Sequence, residues 1–144
     1  MLVNNDIDVL NTIYKNSRMA YDSTSQVIER CADTDLRQYL RRQQAHYAKN
    51  CREVREALRE DGLRPHKVPT MPSVMAGVGI AMKTMRDHSR ETIAELMYNG
   101  TNMGIVDIAR SVNRAHNASD KTVRMAETLL GEEEEFADGL RKFL

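Results

Sequence analysis

The sequence predicts an all-α protein, an antiparallel bundle of four helices, and three observations support this fold class. Apolar residues recur every three or four positions in four long segments, which is the spacing of one helix face. All three prolines lie between residues 62 and 72, so no periodic segment is interrupted. Tryptophan is absent and there are nine methionines, as is typical of a helical core. We expect residues 1–144 to form a single domain.

Charge and composition exclude several classes of function. Lys plus Arg equals Asp plus Glu, at 21 each, so the chain has no overall field that attracts nucleic acid or a membrane surface. No apolar run reaches the roughly 20 residues that cross a bilayer. Cys31 and Cys51 match no metal or disulfide spacing, and no signal-peptide pattern is present. We therefore expect a protein of the bacterial cytoplasm, with neither nucleic acid nor membrane as a partner.

The first two helices, A and B, are predicted over residues 4–30 and 34–61. The short gap between them makes them antiparallel neighbours. Asp33 or Thr34 is expected to cap helix B, and Gly62 to end it. The predicted inner faces carry Ile7, Leu10, Tyr14, Ser17, Tyr21, Thr24 and Ile28 on helix A, and Leu36, Leu40, Gln43, Tyr47, Asn50, Val54 and Leu58 on helix B.

A long crossover follows helix B and contains a predicted short helix over residues 73–86. Helices C and D are predicted over residues 89–116 and 119–143. Gly100 and Gly104 share the inner face of helix C, which indicates a close helix approach or a bend. The crossover is rich in apolar residues that either cap the bundle's own core or form a dimer interface: Val74, Met75, Val78, Ile80, Met82 and Met85.

The apolar stripe of helix D is interrupted by one carboxylate, Glu133. The stripe comprises Val123, Ala126, Leu130, Glu133, Ala137, Leu140 and Leu144. A carboxylate buried without a partner costs several kcal/mol or takes up a proton. We therefore expect a side chain, a water or a metal to face Glu133. Gln43, Asn50 and His46 on helix B are the facing candidates.

One long crossover between two antiparallel helix pairs resembles the ferritin-like superfamily, which includes rubrerythrin-like and bacterioferritin-like proteins. The resemblance implies a Glu-x-x-His motif on two helices and a lone Glu on the other two. The run from Gln43 to His46 resembles that motif with the acid replaced. The run from Glu133 to Phe136 resembles it with the imidazole replaced. The chain is interpreted as an uncharacterised bacterial member of this superfamily with degraded metal-ligand motifs.

These departures leave too few ligands for two irons, which need roughly four carboxylates and two imidazoles. A reduced site remains open as one hypothesis. In it, His46, Glu133 and Glu95, with Gln43 and Asp22 as neighbours, hold a single Fe, Mn or Zn ion. The function would then be that of a metal-binding redox or storage protein.

The favoured hypothesis is a non-enzymatic structural or interaction protein that binds no cofactor and forms a homo-oligomer, expected to be a dimer. Its polar residues would form a hydrogen-bonded network across the bundle centre and fix the helix register. The expected members are Gln43, Asn50, Tyr14, Tyr21, His46 and Glu133. A third hypothesis, an adaptor that binds a peptide helix in a groove, would need an exposed Met and Leu groove.

Overall fold

The computed structural model describes residues 1–68 and 86–144. Within these ranges the elements are α1 (Asn4–Arg30), α2 (Thr34–Arg59), α3 (Arg90–Arg114), α4 (Asp120–Leu140) and a 3₁₀ turn (Arg141–Phe143), with no strand. The prediction of an all-α bundle of four helices is confirmed. None of the helices described is both long and apolar enough to cross a bilayer.

Side-chain caps set three of the helix starts. Asp33 accepts a hydrogen bond from the Leu36 amide at 2.8 Å, and Ser89 and Ser119 each accept one from the amide three residues on, at 3.3 Å. Gly62 adopts a positive φ of 73° just after α2, as expected of a helix terminator.

Helix ends differ from the predicted ones by up to three residues. Helix α1 matches its predicted range, whereas α2 ends at Arg59, α3 spans Arg90–Arg114 and α4 runs over Asp120–Leu140. The largest difference arises because residues 141–143 tighten into a 3₁₀ turn, which is common where an α-helix ends.

Antiparallel packing follows from the contacts at the helix ends. Helix α1 packs against α2 and α3, and α3 packs against α4. The amide of Leu2 donates to the carboxylate of Asp61, which joins the start of α1 to the end of α2. The short helix predicted over 73–86 lies outside the described residues except for Arg86, which forms a bend. Its role in a dimer therefore stays a prediction.

The buried apolar residues form two clusters, one towards each end of the bundle. One cluster contains Val27, Cys31, Leu36, Leu40, Ile93, Ala94, Met97 and Leu140. The other contains Val9, Leu10, Ile13, Val54, Leu58, Ile108, Ala126 and Leu129. Buried polar side chains occur between them, near the middle of the helices: Ser17, Gln43, Asn50, Thr101 and Glu133.

The predicted inner face of α2 is confirmed, since all seven of its residues are buried. The inner face predicted for α1 was partly wrong. Tyr14 and Tyr21 are only half-buried, whereas Ile13 and Val27 are buried. Because α1 contacts both α2 and α3, its buried surface is wider than a single stripe and is rotated from the predicted one.

The stripe predicted for α4 needs a similar correction. Ala126, Glu133, Ala137 and Leu140 are buried, and so are Thr122 and Leu129, which the stripe did not include. Val123 and Leu130 are half-buried, and Leu144 is exposed because it lies beyond the end of the helix.

Two glycines show where helices approach closely and where they do not. Among residues 1–68 and 86–144, a Cβ at Gly104 would meet the Asn16 Oδ1 atom at 3.8 Å, an ordinary contact, so these residues show no close helix approach there and the alternative of a bend stays a prediction. A Cβ at Gly139 would lie 2.6 Å from Cζ of Tyr39. The Tyr39 hydroxyl donates to the Phe136 carbonyl at 2.9 Å, which holds the ring over α4. Gly139 is therefore the position where a side chain would collide.

Candidate functional site

A chain of hydrogen bonds crosses the centre of the bundle and ends at Glu133. The Tyr47 hydroxyl donates to Oε2 of Glu133 at 3.2 Å, and it accepts from Nε2 of Gln43 at 2.5 Å. The same Nε2 atom also donates to Oγ1 of Thr101 at 3.3 Å. These four residues, which we call the central polar layer, therefore connect α2, α3 and α4.

The position of the central polar layer follows from the inner face of α2. Gln43 and Tyr47 are four residues apart, so their side chains are neighbours on one face of the helix. Leu36 and Leu40 on one side and Val54 and Leu58 on the other are fully buried, which holds that face towards the axis. Because these apolar neighbours are buried, the Gln43 amide and the Tyr47 phenol on the same face are buried with them.

Burial makes Glu133 an unusual acid. Its side chain is 5% exposed, and this burial raises the pKa of Glu133 to about 8, although the Tyr47 hydroxyl opposes the shift and Glu132 adds to it. Burial likewise raises the pKa of Tyr47 well above its usual range. Glu133 is thus protonated at neutral pH. The central polar layer then carries no charge.

Several polar atoms at the bundle centre are not satisfied by the described part of the chain. Within residues 1–68 and 86–144, Oε1 of Glu133, Oε1 of Gln43 and Nδ2 of Asn50 are buried without a hydrogen-bond partner. A buried polar group left in this way costs about 1–3 kcal/mol. The centre therefore has unused hydrogen-bonding capacity: Gln43 offers an acceptor, Asn50 offers a donor, and Oε1 of Glu133 can accept or, when it carries the acid's proton, donate.

Tyr47 was expected on the inner face but not as the partner of Glu133. Tyr14 and Tyr21 were expected in the network instead, and this was wrong. The Tyr14 hydroxyl accepts from Arg55 at 3.0 Å, with the guanidinium 5.2 Å from the ring centre. The available sequence signal was the position of Tyr47 one turn after Gln43 on a stripe of buried residues.

His46 does not face Glu133, contrary to the hypothesis of a shared metal site. Its Nδ1 atom lies 3.4 Å from Oε2 of Glu132, and its side chain is 42% exposed. Its ring packs edge-on against Phe136, with centroids 5.1 Å apart. Successive residues on a helix point about 100° apart, so pairing with Glu132 turns His46 away from the central layer.

The other two acids of the hypothetical metal site also point outwards. Glu95 on α3 is exposed, and so is Asp22 on α1, which lies 3.5 Å from Arg18 as an ion pair. Of the candidates, only Glu133 and its neighbour Gln43 are brought together at the bundle centre.

The metal-ligating residue types do not cluster in the described ranges. No group of three His, Cys, Asp or Glu side chains suited to a metal ion occurs there. The remaining segment, residues 69–85, contains none of these four residue types in its sequence. The closest arrangement is the His46–Glu132 pair, which offers two ligands rather than the three or more of a typical zinc site.

A pocket of about 600 Å³ between α1 and α3 reaches the central polar layer. Tyr47 and Glu133 form its inner end, and Ser17 and Thr101 also line it. Its walls are largely apolar and include Met19, Met97, Ile108 and Leu129. This volume is typical of small-molecule sites.

The mouth of the pocket combines apolar and charged side chains. Met103 and Val106 are each 50% exposed there. Lys15 lies 3.3 Å from Oδ2 of Asp107, and the Asn16 amide donates to the same oxygen at 2.7 Å. The pocket thus extends from a mouth with both apolar and charged side chains to the buried side chain of Glu133. The pocket was not predicted, because Gly100 and Gly104 in its lining were interpreted as a close helix approach or a bend.

Antiparallel helices with one long connection and a polar centre define a ferritin-like four-helix bundle. Three solved structures share this fold. A Dps1 mutant from Mycobacterium smegmatis is 16% identical, with a TM-score of 0.75 over 95% of this chain and 93% of that one. The dodecameric thioferritin of Bacteroides fragilis, a bacterioferritin-related protein, is 14% identical, with a TM-score of 0.75 over 96% and 83%. YcfI from Rhodopseudomonas palustris is 15% identical, with a TM-score of 0.69 over 94% and 90%.

The chain belongs to the family described as Domain of unknown function (DUF2383), whose model matches residues 5–114. The match covers α1, α2 and α3, whereas α4 with Glu133 lies beyond it. No curated protein matches the chain in sequence. The predicted resemblance to the ferritin-like superfamily is confirmed at the level of the fold.

Proposed function

We propose that this protein is a non-enzymatic structural or interaction protein of ferritin-like form, in which the central polar layer takes the place of a metal centre. The observation that carries the proposal is the partner of Glu133. This acid is bonded to the Tyr47 hydroxyl, and neither a second acid nor an imidazole joins it among the described residues.

The chemistry of the layer suits hydrogen bonding better than cation binding. A divalent cation is held by deprotonated carboxylates, thiolates or neutral imidazoles. Glu133 is the one carboxyl of the layer, and Gln43, Tyr47 and Thr101 add neither a second carboxyl nor an imidazole or thiol. A bonded polar layer costs stability relative to leucines, but it penalises helix rotations that would break the bonds. We propose that it fixes the alignment of α2, α3 and α4.

The second part of the proposal is self-association, with a dimer as the smallest expected unit. The structurally similar thioferritin of Bacteroides fragilis is dodecameric. The sequence of the crossover supplies apolar residues beyond the needs of a small bundle, including Val78 and Ile80. Cys31 and Cys51 are buried free thiols, which suits the reducing cytoplasm that we propose as the location. A single domain over residues 1–144 also stays a prediction.

Elemental analysis tests the metal-free layer. Protein purified without chelators should contain Fe, Mn and Zn well below one atom per chain, and its melting temperature should not respond to Fe(II), Mn(II) or Zn(II). Stoichiometric metal that is lost in both Glu133→Ala and His46→Ala would overturn this part. It would favour the alternative, a single-metal redox or storage protein. Glu127→Ala is the matched control, because that acid of α4 is exposed, is not one of the candidate ligands and should leave the metal content unchanged in either case.

Light scattering after size exclusion tests self-association. We expect the native chain to have at least twice the mass of one chain, and Ile80→Lys to reduce that mass to one chain. Val106→Lys is the control, because it places the same charge on an exposed apolar position of α3. A native chain that is monomeric at micromolar concentration would contradict the proposal. If Val106→Lys dissociates the protein and Ile80→Lys does not, the interface lies on α3 rather than on the crossover.

A further inference from the structure

A buried acid with an unused oxygen, Glu133, lines the inner end of the pocket between α1 and α3. Glu133 is 5% exposed and lines the pocket, and its Oε1 atom has no hydrogen-bond partner within the described residues. The hydroxyl-bearing residues Ser17 and Thr101 line the same pocket. Each hydroxyl oxygen can accept a hydrogen bond. The inner end is therefore suited to a compact group with several N–H donors.

The rest of the pocket is suited to an apolar chain. Met19, Met97, Ile108 and Leu129 surround the path from the inner end towards the surface. Met103 and Val106 continue it to the mouth, where both are half-exposed. Methionine side chains adapt readily to a flexible alkyl chain.

The charges around the pocket set the orientation of a guest. At the mouth, Lys15 and Asp107 neutralise each other at 3.3 Å, and Arg110 adds a cation. At the inner end, Glu133 faces Tyr47 from α2, and Glu132 on its own helix pairs with His46. No cation on the described helices bonds to Glu133. A positively charged head is therefore disfavoured at the mouth by Arg110, and at the inner end it can form an ion pair with Glu133 once that acid gives up its proton.

We propose that this pocket binds a small aliphatic amine, with its ammonium group bonded to Glu133 and its apolar chain directed towards Met103 and Val106. This ligand site goes beyond the proposed structural role and does not depend on self-association. Charge-assisted hydrogen bonds of this type are roughly twice as strong as neutral ones, and burial strengthens them further.

The binding step has a defined proton balance. At pH 7 the free site holds the carboxylic acid of Glu133, and the amine arrives as an ammonium ion. In the complex Glu133 is a carboxylate, so its proton is released to the buffer while the amine keeps its own. Because the pKa of Glu133 is about 8 in the free protein, the affinity should rise with pH up to about 8 and then level off.

Calorimetric titration with n-octylammonium, n-octanol and octanoate tests the site. We expect n-octylammonium to bind about tenfold or more tightly than n-octanol at pH 7, and octanoate to bind least. Titrations in buffers of different ionisation enthalpy should report release of one proton per n-octylammonium bound at pH 6–7, and none for n-octanol. The thermal midpoint of the protein should rise with n-octylammonium concentration.

Three variants distinguish the proposed contact with Glu133 from nonspecific hydrophobic binding. Glu133→Gln keeps the shape of the side chain, so it should retain n-octanol binding but lose both the preference for the ammonium and the proton release. Glu134→Gln, an exposed acid on the same helix that does not shift the pKa of Glu133, is the control and should change neither. Gly104→Leu should weaken all three ligands, because its position lines the pocket with open space around it.

Three results would overturn the proposal. One is the absence of saturable n-octylammonium binding, and another is equal or tighter binding of n-octanol or octanoate. The third is an ammonium preference that survives in Glu133→Gln. Because Glu133→Gln and the native chain are compared with the same neutral ligand, a folding defect in the variant appears as loss of n-octanol binding. In that case Gly104→Leu decides the question: unchanged n-octylammonium affinity in this variant overturns the site, and a weakened affinity supports it.

Discussion

Two buried acids, Asp6 near the start of α1 and Glu133 in the centre, behave in opposite ways. Their exposed fractions are similar, 1% and 5%. Asp6 accepts hydrogen bonds from the amides of Val3 at 3.0 Å and Ser119 at 2.7 Å, whereas Glu133 accepts one, from the Tyr47 hydroxyl. Burial by itself would raise the pKa of both carboxyls. Burial is the largest influence at Asp6 too, but the Val3 and Ser119 amides and the Thr122 and Ser119 hydroxyls together outweigh it and lower the pKa, whereas at Glu133 burial dominates and raises the pKa.

The comparison shows that burial raises the pKa of a core carboxyl and that the number and kind of its hydrogen-bond donors decide whether this rise is reversed. Asp6 is ionised at neutral pH and fastens the loop before α4 to the start of α1. Glu133 is protonated at the same pH and belongs to a neutral layer. One acid therefore stabilises the fold as an anion, and the other is compatible with it as a neutral acid.

The largest expected effect is the pH dependence that Glu133 imposes. Its folded pKa is raised from 4.5 to about 8. The contribution of Glu133 to the free energy of unfolding is therefore highest below pH 4.5, falls as the pH rises to about 8, and is level above that. Glu133→Gln should remove this fall and be the more stable protein at pH 9, by a few kcal/mol with a ceiling of about 5. Urea unfolding at intervals from pH 5 to pH 9 measures the difference.

The control for that experiment is Glu134→Gln, which replaces an exposed acid on the same helix that does not shift the pKa of Glu133 and should keep the native pH profile. A native profile that is flat between pH 5 and pH 8 would mean that Glu133 has an ordinary pKa. The contrast with Asp6 would then disappear.

Asp6→Ala should produce the next largest effect. It removes an anion that accepts from two backbone amides and leaves the Ser119 amide without its partner, so we expect a loss of about 3 kcal/mol at pH 7. Because the folded pKa of Asp6 is lowered, its stabilisation is complete above the ordinary value of 3.8 and is lost as the pH falls through the folded value. The difference between variant and native protein should therefore shrink in acid.

Chemical denaturation at pH 7 and pH 3 tests this prediction. Asp8→Ala is the matched control, because Asp8 is an exposed acid that lies close to Asp6 on the same helix. This substitution should cost under about 0.5 kcal/mol. A similar cost for both substitutions would show that Asp6 acts only through the net charge at the helix start.

Glu133→Leu should cost about 2 kcal/mol at pH 6, and more than Glu133→Gln at the same pH. Leucine leaves the Tyr47 hydroxyl without its acceptor, whereas glutamine keeps a hydrogen-bonding oxygen in place. Comparing the two unfolding free energies is the measurement. A stabilising leucine would indicate that the polar layer is a net cost that hydrophobic packing can replace.

Tyr47→Phe should have the smallest effect on stability, about 1 kcal/mol. It tests directly how a hydrogen-bond donor affects the pKa of Glu133. It removes the one donor that lowers the pKa of Glu133, so the pH-dependent fall in stability should shift to higher pH. Tyr98→Phe, which deletes a hydroxyl beside the other end of the core, should leave that fall in place. An unchanged transition in Tyr47→Phe would show that this hydroxyl does not bond Glu133.

The sequence predicted the buried face of α2 better than that of α1. All seven residues predicted on the inner face of α2 are buried, and Cys51 is buried beside them. The face of α1 was predicted less well, since contacts with α2 and α3 bury Ile13 and Val27 outside that stripe. Asp6 was missed, although an acid three residues after Val3 at a helix start is a recognisable capping position.

The sequence by itself determined the all-α class, the approximate extent of four helices and the burial of Gln43 and Glu133, because these follow from local spacing, caps and prolines. Only the tertiary structure decided which side chains meet. Tyr47 reaches Glu133 while His46 pairs with Glu132, and a helix rotation of about 100° separates one residue from the next. That rotation is set by the packing of all four helices together, and no single segment of the chain encodes it.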